Sequence, residues 1–151
     1  MQKEPRYWDD YEVGQRYPLG STGFTEEEII SFAKLYDPQL FHIDPAAARD
    51  SIYGGVIASG WHVASKMMRL FVDNYVDHRT TLGSPGVDEL RWLKPVRPGD
   101  TLTGWVECAA KVPSKSKPQM GVIHEAWQVS NQKGELVMTA KGINMVRRRP
   151  A

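Results

Sequence analysis

Trp61-His62-Val63-Ala64-Ser65-Lys66-Met67-Met68-Arg69-Leu70-Phe71-Val72-Asp73-Asn74 decides the reading of the whole chain. Its residues favour helix, and apolar side chains fall on nearly every side, which predicts a buried helix. Gly54, Gly55 and Gly60 lead into it through a turn of small residues. Downstream the hydrophobic period changes to two. Residues 87–93, 100–112, 119–131 and 135–148 read as strands separated by Pro-Gly or Gly-containing turns, with a hairpin signal at 131–134. Leu102, Val106, Cys108 and Ala110 share one strand face, as do Ile123, Trp127 and Val129 in the next. Such a sheet needs a cover, and the helix is the obvious one.

Upstream, residues 11–24 carry Gly14, Pro18, Gly20 and Gly23 and read as an irregular lead-in with a short strand pair. Thr25 followed by Glu28 has the form of a capping box, because hydroxyl and carboxylate each satisfy an unpaired backbone donor at a helix start. A helix over 26–35 follows, its apolar face made by Ile29, Phe32, Ala33 and Tyr36. Pro38 forces Asp37 out of helical geometry. Asp44 as N-cap and Pro45 in the first position start another helix. Residues 37–44 are thereby expected to form a loop clamped between two short helices.

The chain's 151 residues match one domain of about 150, expected to span 1–151 with its core at about 11–147. With 19 Lys and Arg against 18 Asp and Glu, it lacks the basic surplus of a nucleic-acid binder. Its 41% hydrophobic residues argue against disorder. The longest apolar stretch, 56–72, is broken by Ser59, His62, Ser65, Lys66 and Arg69, short of the roughly 20 residues that span a bilayer. The first ten residues lack the apolar core of a secretory signal, so a cytoplasmic location is expected. Cys108 is the sole cysteine, which excludes an internal disulfide and thiolate metal clusters.

Two constellations bear chemistry. Asp37-Pro38-Gln39-Leu40-Phe41-His42 sets a carboxylate and an imidazole five apart in a proline-pinned loop. Both side chains can enter one cavity, where carboxylate and imidazole can activate a single water. Alternatively, Asp37 caps a turn and His42 is a hydrogen-bonded, half-buried residue. Gly54-Gly55-Val56-Ile57-Ala58-Ser59-Gly60-Trp61 brings a glycine-rich turn into a helix N-terminus, where unpaired N–H groups favour negative charge. The Gly60 N–H is placed to stabilise an oxyanion on a thioester or other acyl compound. The other reading is tight packing of helix on sheet through small residues.

Lys115 and Lys117, with Ser114 and Ser116, either meet a ligand's phosphates as point charges or sit in a solvated loop. His62 reads as a packed, hydrogen-bonded residue, and His78 and His124 lack metal-type partners in sequence, so no metal site is expected. Trp92, Trp105 and Trp127 read as sheet packing, Met67 and Met68 as core, and 147–149 as a frayed basic tail.

Taken in register, these motifs resemble the MaoC-like dehydratases, or (R)-specific enoyl-CoA hydratases. That family carries D-x-N-P-x-H with an acidic residue two positions later, here Asp37 to His42 and then Asp44. Its I-x-H-G segment before a serine-bearing helix is matched by Ile57-Ala58-Ser59-Gly60 and Ser65, and its P-x-x-x-G-D strand start by the segment ending Pro98-Gly99-Asp100. The resemblance covers roughly residues 11–147. Gln39 stands for asparagine and Leu40 for proline, which bears on the shape of the loop. Ser59 stands for histidine, which bears on substrate contacts and acyl-chain choice.

The resemblance implies an α+β hot-dog fold, a long central helix wrapped by an antiparallel β-sheet. It implies that Asp37 and His42 hold and activate the catalytic water, that the Gly60 N–H polarises the thioester oxygen, and that Ser65 supports the aspartate. Gln39, Ser59 and Trp61 are expected to contact substrate, and Lys115 and Lys117 the phosphates of its coenzyme A. The reaction implied is reversible hydration of a trans-2-enoyl-CoA to a (3R)-3-hydroxyacyl-CoA, as in fatty acid metabolism. An acyl-CoA thioesterase and a non-catalytic acyl-CoA-binding subunit are the alternatives. No cofactor is implied beyond the coenzyme A of the substrate. The expected partners are that acyl-CoA thioester and a second copy of the chain, in a homodimer or an assembly of dimers, with no nucleic acid and no membrane.

Overall fold

The computed structural model describes residues 3–151. Strand β1 (Arg16–Gly23) is followed by helices α1 (Glu26–Tyr36), α2 (Leu40–Ile43), α3 (Pro45–Arg49) and α4 (Gly60–Asn74). The remaining strands are β2 (Gly86–Trp92), β3 (Thr101–Pro113), β4 (Met120–Ser130) and β5 (Leu136–Arg147). All pair antiparallel in one five-stranded sheet of order β1-β3-β4-β5-β2. The sheet curves around α4, giving the α+β hot-dog arrangement.

Helix α4 lies on the sheet through Val63, Met67 and Phe71, all buried. Gly104 lets it approach closely, since a Cβ there would lie 3.3 Å from Leu19 Cδ1 and 3.4 Å from Met67 Sδ. Farther along, Phe71 packs on Trp127 with ring centroids 4.5 Å apart. The expectation of a helix buried all round is not met. Trp61 and Met68 are 59% and 44% exposed, beside Ser65 and Arg69, so Met68 is not core. One curved sheet reaches only one side of a helix, and the polar residues 65, 69 and 73 recur at helical spacing on the other.

Local signals are realised in detail. The Thr25 hydroxyl accepts from Glu28 N–H at 3.2 Å while the Glu28 carboxylate accepts from Thr25 N–H at 3.3 Å. Asp44 Oδ1 caps α3 by accepting from the N–H groups of Ala46 and Ala47. Between α1 and α3 the expected loop holds a helical turn, α2, closed by Asp44 N–H on the Leu40 carbonyl at 2.9 Å. The lead-in strand pairs with β3 instead of folding back on itself. Tyr36, expected on the buried face of α1, is 72% exposed.

Two further features position the site. In β2 the register against β5 shifts by one between Asp88 and Arg91, a β-bulge where Glu89 takes a left-handed φ of 49°. At the far side, the Trp8 indole covers Gly121 and donates to the Val122 carbonyl at 3.0 Å. The basic tail is not frayed: Arg149 donates to both Asp10 carboxylate oxygens and its N–H to Asp9. Among the described residues no helix is long and apolar enough to cross a membrane.

Candidate active site

Helix α1 ends at Asp37, whose N–H still bonds the Ala33 carbonyl while its φ and ψ leave the helix. Gln39 then starts α2, and one turn carries His42 back toward the aspartate. The imidazole Nε2 comes to rest 3.3 Å from Asp37 Oδ2. The pair faces a cavity of about 410 Å³ lined also by Phe41, Gly60, Trp61 and Trp92.

His42 is buried, and its Nδ1 lies 2.6 Å from the Ile57 carbonyl. A carbonyl only accepts, so that contact assigns the proton to Nδ1. In the neutral ring Nε2 then offers a lone pair beside the carboxylate. Two acceptors so close can receive both protons of one water molecule, which raises the basicity of its oxygen's environment and orients its lone pairs outward.

Each carboxylate oxygen of Asp37 has a donor. Ser59 Oγ donates to Oδ2 and Gln39 Nε2 to Oδ1, both at 2.7 Å. Partial burial works to raise the Asp37 pKa, but the hydrogen bonds from Ser59 and Gln39 outweigh it and hold the carboxyl below its usual range. The group is therefore a carboxylate throughout the neutral range.

Ser65, expected beside the aspartate, is not there. Its Oγ donates to the Trp61 carbonyl at 2.7 Å on the exposed side of α4. Ser59 is the hydroxyl that reaches Asp37, because it precedes α4 and points across to the end of α1. Since the Ser59 side chain is spent on Asp37, it makes no cap bond to its own helix. The N–H groups of Gly60 and Trp61 at the first turn have no intrahelical acceptor and lie at the cavity wall. Gln39, expected to touch substrate, lines the cavity and donates to the Asp37 oxygen that Ser59 leaves free.

Gly60 is required where it stands. A Cβ there would collide with the six-membered ring of Trp92, which lies across the helix start. Trp92 meets Trp61 edge to face at 5.2 Å. Sequence periodicity assigned Trp92 to sheet packing; no local signal links strand β2 to the start of α4. Lys94, which pairs with Glu135, also borders the cavity. Lys115 and Lys117 are exposed in the β3–β4 hairpin, and Lys117 borders a different depression with Leu82 and Arg147. His62 is packed, stacked on Phe32 at 4.7 Å, but its buried Nδ1 has no hydrogen-bond partner.

Comparison with known proteins agrees with this architecture. The family model described as MaoC like domain matches residues 10–128. The crystal structure of a MaoC-like dehydratase from Rhodospirillum rubrum is 37% identical, with a TM-score of 0.89 over 97% of this chain and 99% of that one. The (R)-hydratase from A. caviae involved in PHA biosynthesis is 28% identical, with a TM-score of 0.72 over 91% of this chain and 97% of its own. Protein MaoC of Klebsiella aerogenes is 32% identical over 107 residues, which cover 70% of this chain and 31% of that protein. With the family model matching most of its length and its sheet wrapped about α4, the chain belongs to the MaoC-like domain family.

Proposed function

We propose that this protein catalyses the reversible hydration of a trans-2-enoyl-CoA to a (3R)-3-hydroxyacyl-CoA. The observation that carries the reading is the 3.3 Å approach of His42 Nε2 to Asp37 Oδ2 at a cavity that the start of α4 also borders. The likeness to an (R)-hydratase and a MaoC-like dehydratase supports it.

Asp37 and His42 receive the two protons of one water as hydrogen bonds. Its oxygen adds to the β-carbon, one O–H bond breaks, and the released proton passes through the pair to the α-carbon on the same face. Negative charge builds meanwhile on the thioester oxygen, where the Gly60 N–H donates with support from the helix N-terminus. Ser59 and Gln39 hold the carboxylate still and ionised. The reading uses no cofactor besides the coenzyme A of the substrate. It extends to a cytoplasmic enzyme of acyl-thioester metabolism working as a homodimer or an assembly of dimers.

The test is loss of the conjugated enoyl-thioester absorbance over a panel of enoyl-CoA substrates. Asp37→Asn and His42→Ala are each expected to lower kcat/KM by about 10²–10⁴-fold with an unchanged circular dichroism spectrum. Full turnover in either variant rejects the assignment. Thiol release from acyl-CoA without change in the enoyl absorbance would point to a thioesterase instead, and binding with neither signal to a non-catalytic subunit.

A further inference from the structure

We infer that Trp92, braced by Trp61, is the wall that limits acyl-chain length in this cavity, so that the protein takes short acyl thioesters and turns away long ones. The inference rests on the reading that Gly60 binds a thioester carbonyl. The Trp92 ring lies so tightly over Gly60 that no side chain fits between them. An acyl group whose carbonyl is held at the Gly60 N–H therefore meets the indole within its first few carbons.

The ring is held in that position. Its edge-to-face contact with Trp61 at 5.2 Å and an interplanar angle of 77° is the geometry that aromatic quadrupoles favour. The backbone at its base is fixed by pairing of Trp92 with Met138 and by the bond from Leu93 N–H to the Val137 carbonyl at 2.8 Å. The cavity of about 410 Å³ is at the small end for a binding site, where roughly 300–1,000 Å³ is common.

Saturated thioesters separate this inference from the chemistry, because they bind but cannot be hydrated. Each methylene buried freely contributes about 0.8 kcal/mol, or roughly fourfold in affinity, so four of them contribute roughly 250-fold. Calorimetric titration with butyryl-, hexanoyl- and octanoyl-CoA is expected to show less than about tenfold gain across the series for the natural protein. Trp92→Ala, and to a smaller degree Trp61→Ala, is expected to restore most of the rise. Trp61, half exposed on α4, supplies a variant that keeps the fold should Trp92→Ala not.

A full rise in the natural protein, or a flat series in every variant that folds, overturns the wall. Chain-limited binding together with no hydration of any enoyl-CoA would sink the hydratase reading and leave the wall standing. Absence of binding to all three thioesters overturns both.

Discussion

Because the Ile57 carbonyl fixes a proton of His42 on Nδ1, Nε2 is the ring atom that faces Asp37. Asp37 is ionised early because Ser59 and Gln39 donate to it. Removing one donor shifts that balance: Ser59→Ala leaves burial less opposed, so the Asp37 pKa rises. An NMR titration of the Asp37 carboxyl checks this, and an unmoved midpoint counts against a positioning role for Ser59. Ser65→Ala, whose hydroxyl stays within its own helix, is expected to leave the midpoint in place and the rate within about twofold. Both serines flank the start of α4 in sequence. Only the tertiary crossing of α1 and α4 decides which one faces the carboxylate, so residue spacing carried the Asp37 and His42 positions but not that of their support.

At the scale of elements, β4 holds a feature that alternation alone hides. Glu125 lies on the core face between Ile123 and Trp127, 3% exposed, under the C-terminal end of α4. The Tyr75 hydroxyl, the Trp127 indole N–H and Glu125 Oε1 are buried there without well-formed hydrogen bonds. Gly142 on β5 makes the space, since a Cβ there would lie 2.9 Å from Glu125 Oε2. Burial pushes the Glu125 carboxyl up from 4.5 to about 7, against the pull of Tyr75, Trp127 and Asn144. A raised carboxyl binds its proton more tightly in the folded state. Its contribution to stability is full below pH 4.5 and is lost as pH rises through 7, by about 3 kcal/mol in all. Denaturant unfolding at pH 5 and pH 8 is expected to show that loss, and Glu125→Gln to remove it. An equal pH dependence in the variant would deny Glu125 the role. The strands, the capping box and the 131–134 turn were legible because each is written in adjacent residues. A carboxylate at an inward position reads in sequence as an error in the alternation until the residues facing it are known.

Across the whole molecule, the sheet order leaves β1 and β2 as unpaired edges. Charge and a bulge blunt β2 at Asp88, Glu89 and Arg91, yet the strand and its continuation also expose Val87 at 52%, Trp92 at 42% and Leu93 at 50%. These apolar groups favour β2 as the edge along which two copies of the proposed dimer join. Val87→Lys places a charge on that edge and is expected to yield monomers in size exclusion with light scattering. A dimer mass retained by the variant would move the interface elsewhere. The long helix and the sheet could be read from periodicity because a single chain must cover its own apolar faces. The exposed Trp61 and Met68 side of α4 misled that reading, since composition does not distinguish a helix enclosed by its own sheet from one with an apolar face left bare.

The bulge at Glu89 gives the cavity a dependence on parity. Before it, paired residues of β2 and β5 sum to one value, as in Asp88 with Lys141; after it, to the next, as in Trp92 with Met138. Were the same residues paired without the bulge, Trp92 would stand opposite Val137 in place of Met138, and the indole now resting on Gly60 would turn to the reverse side of the sheet. One unpaired position in the ladder thus keeps that ring over the start of α4.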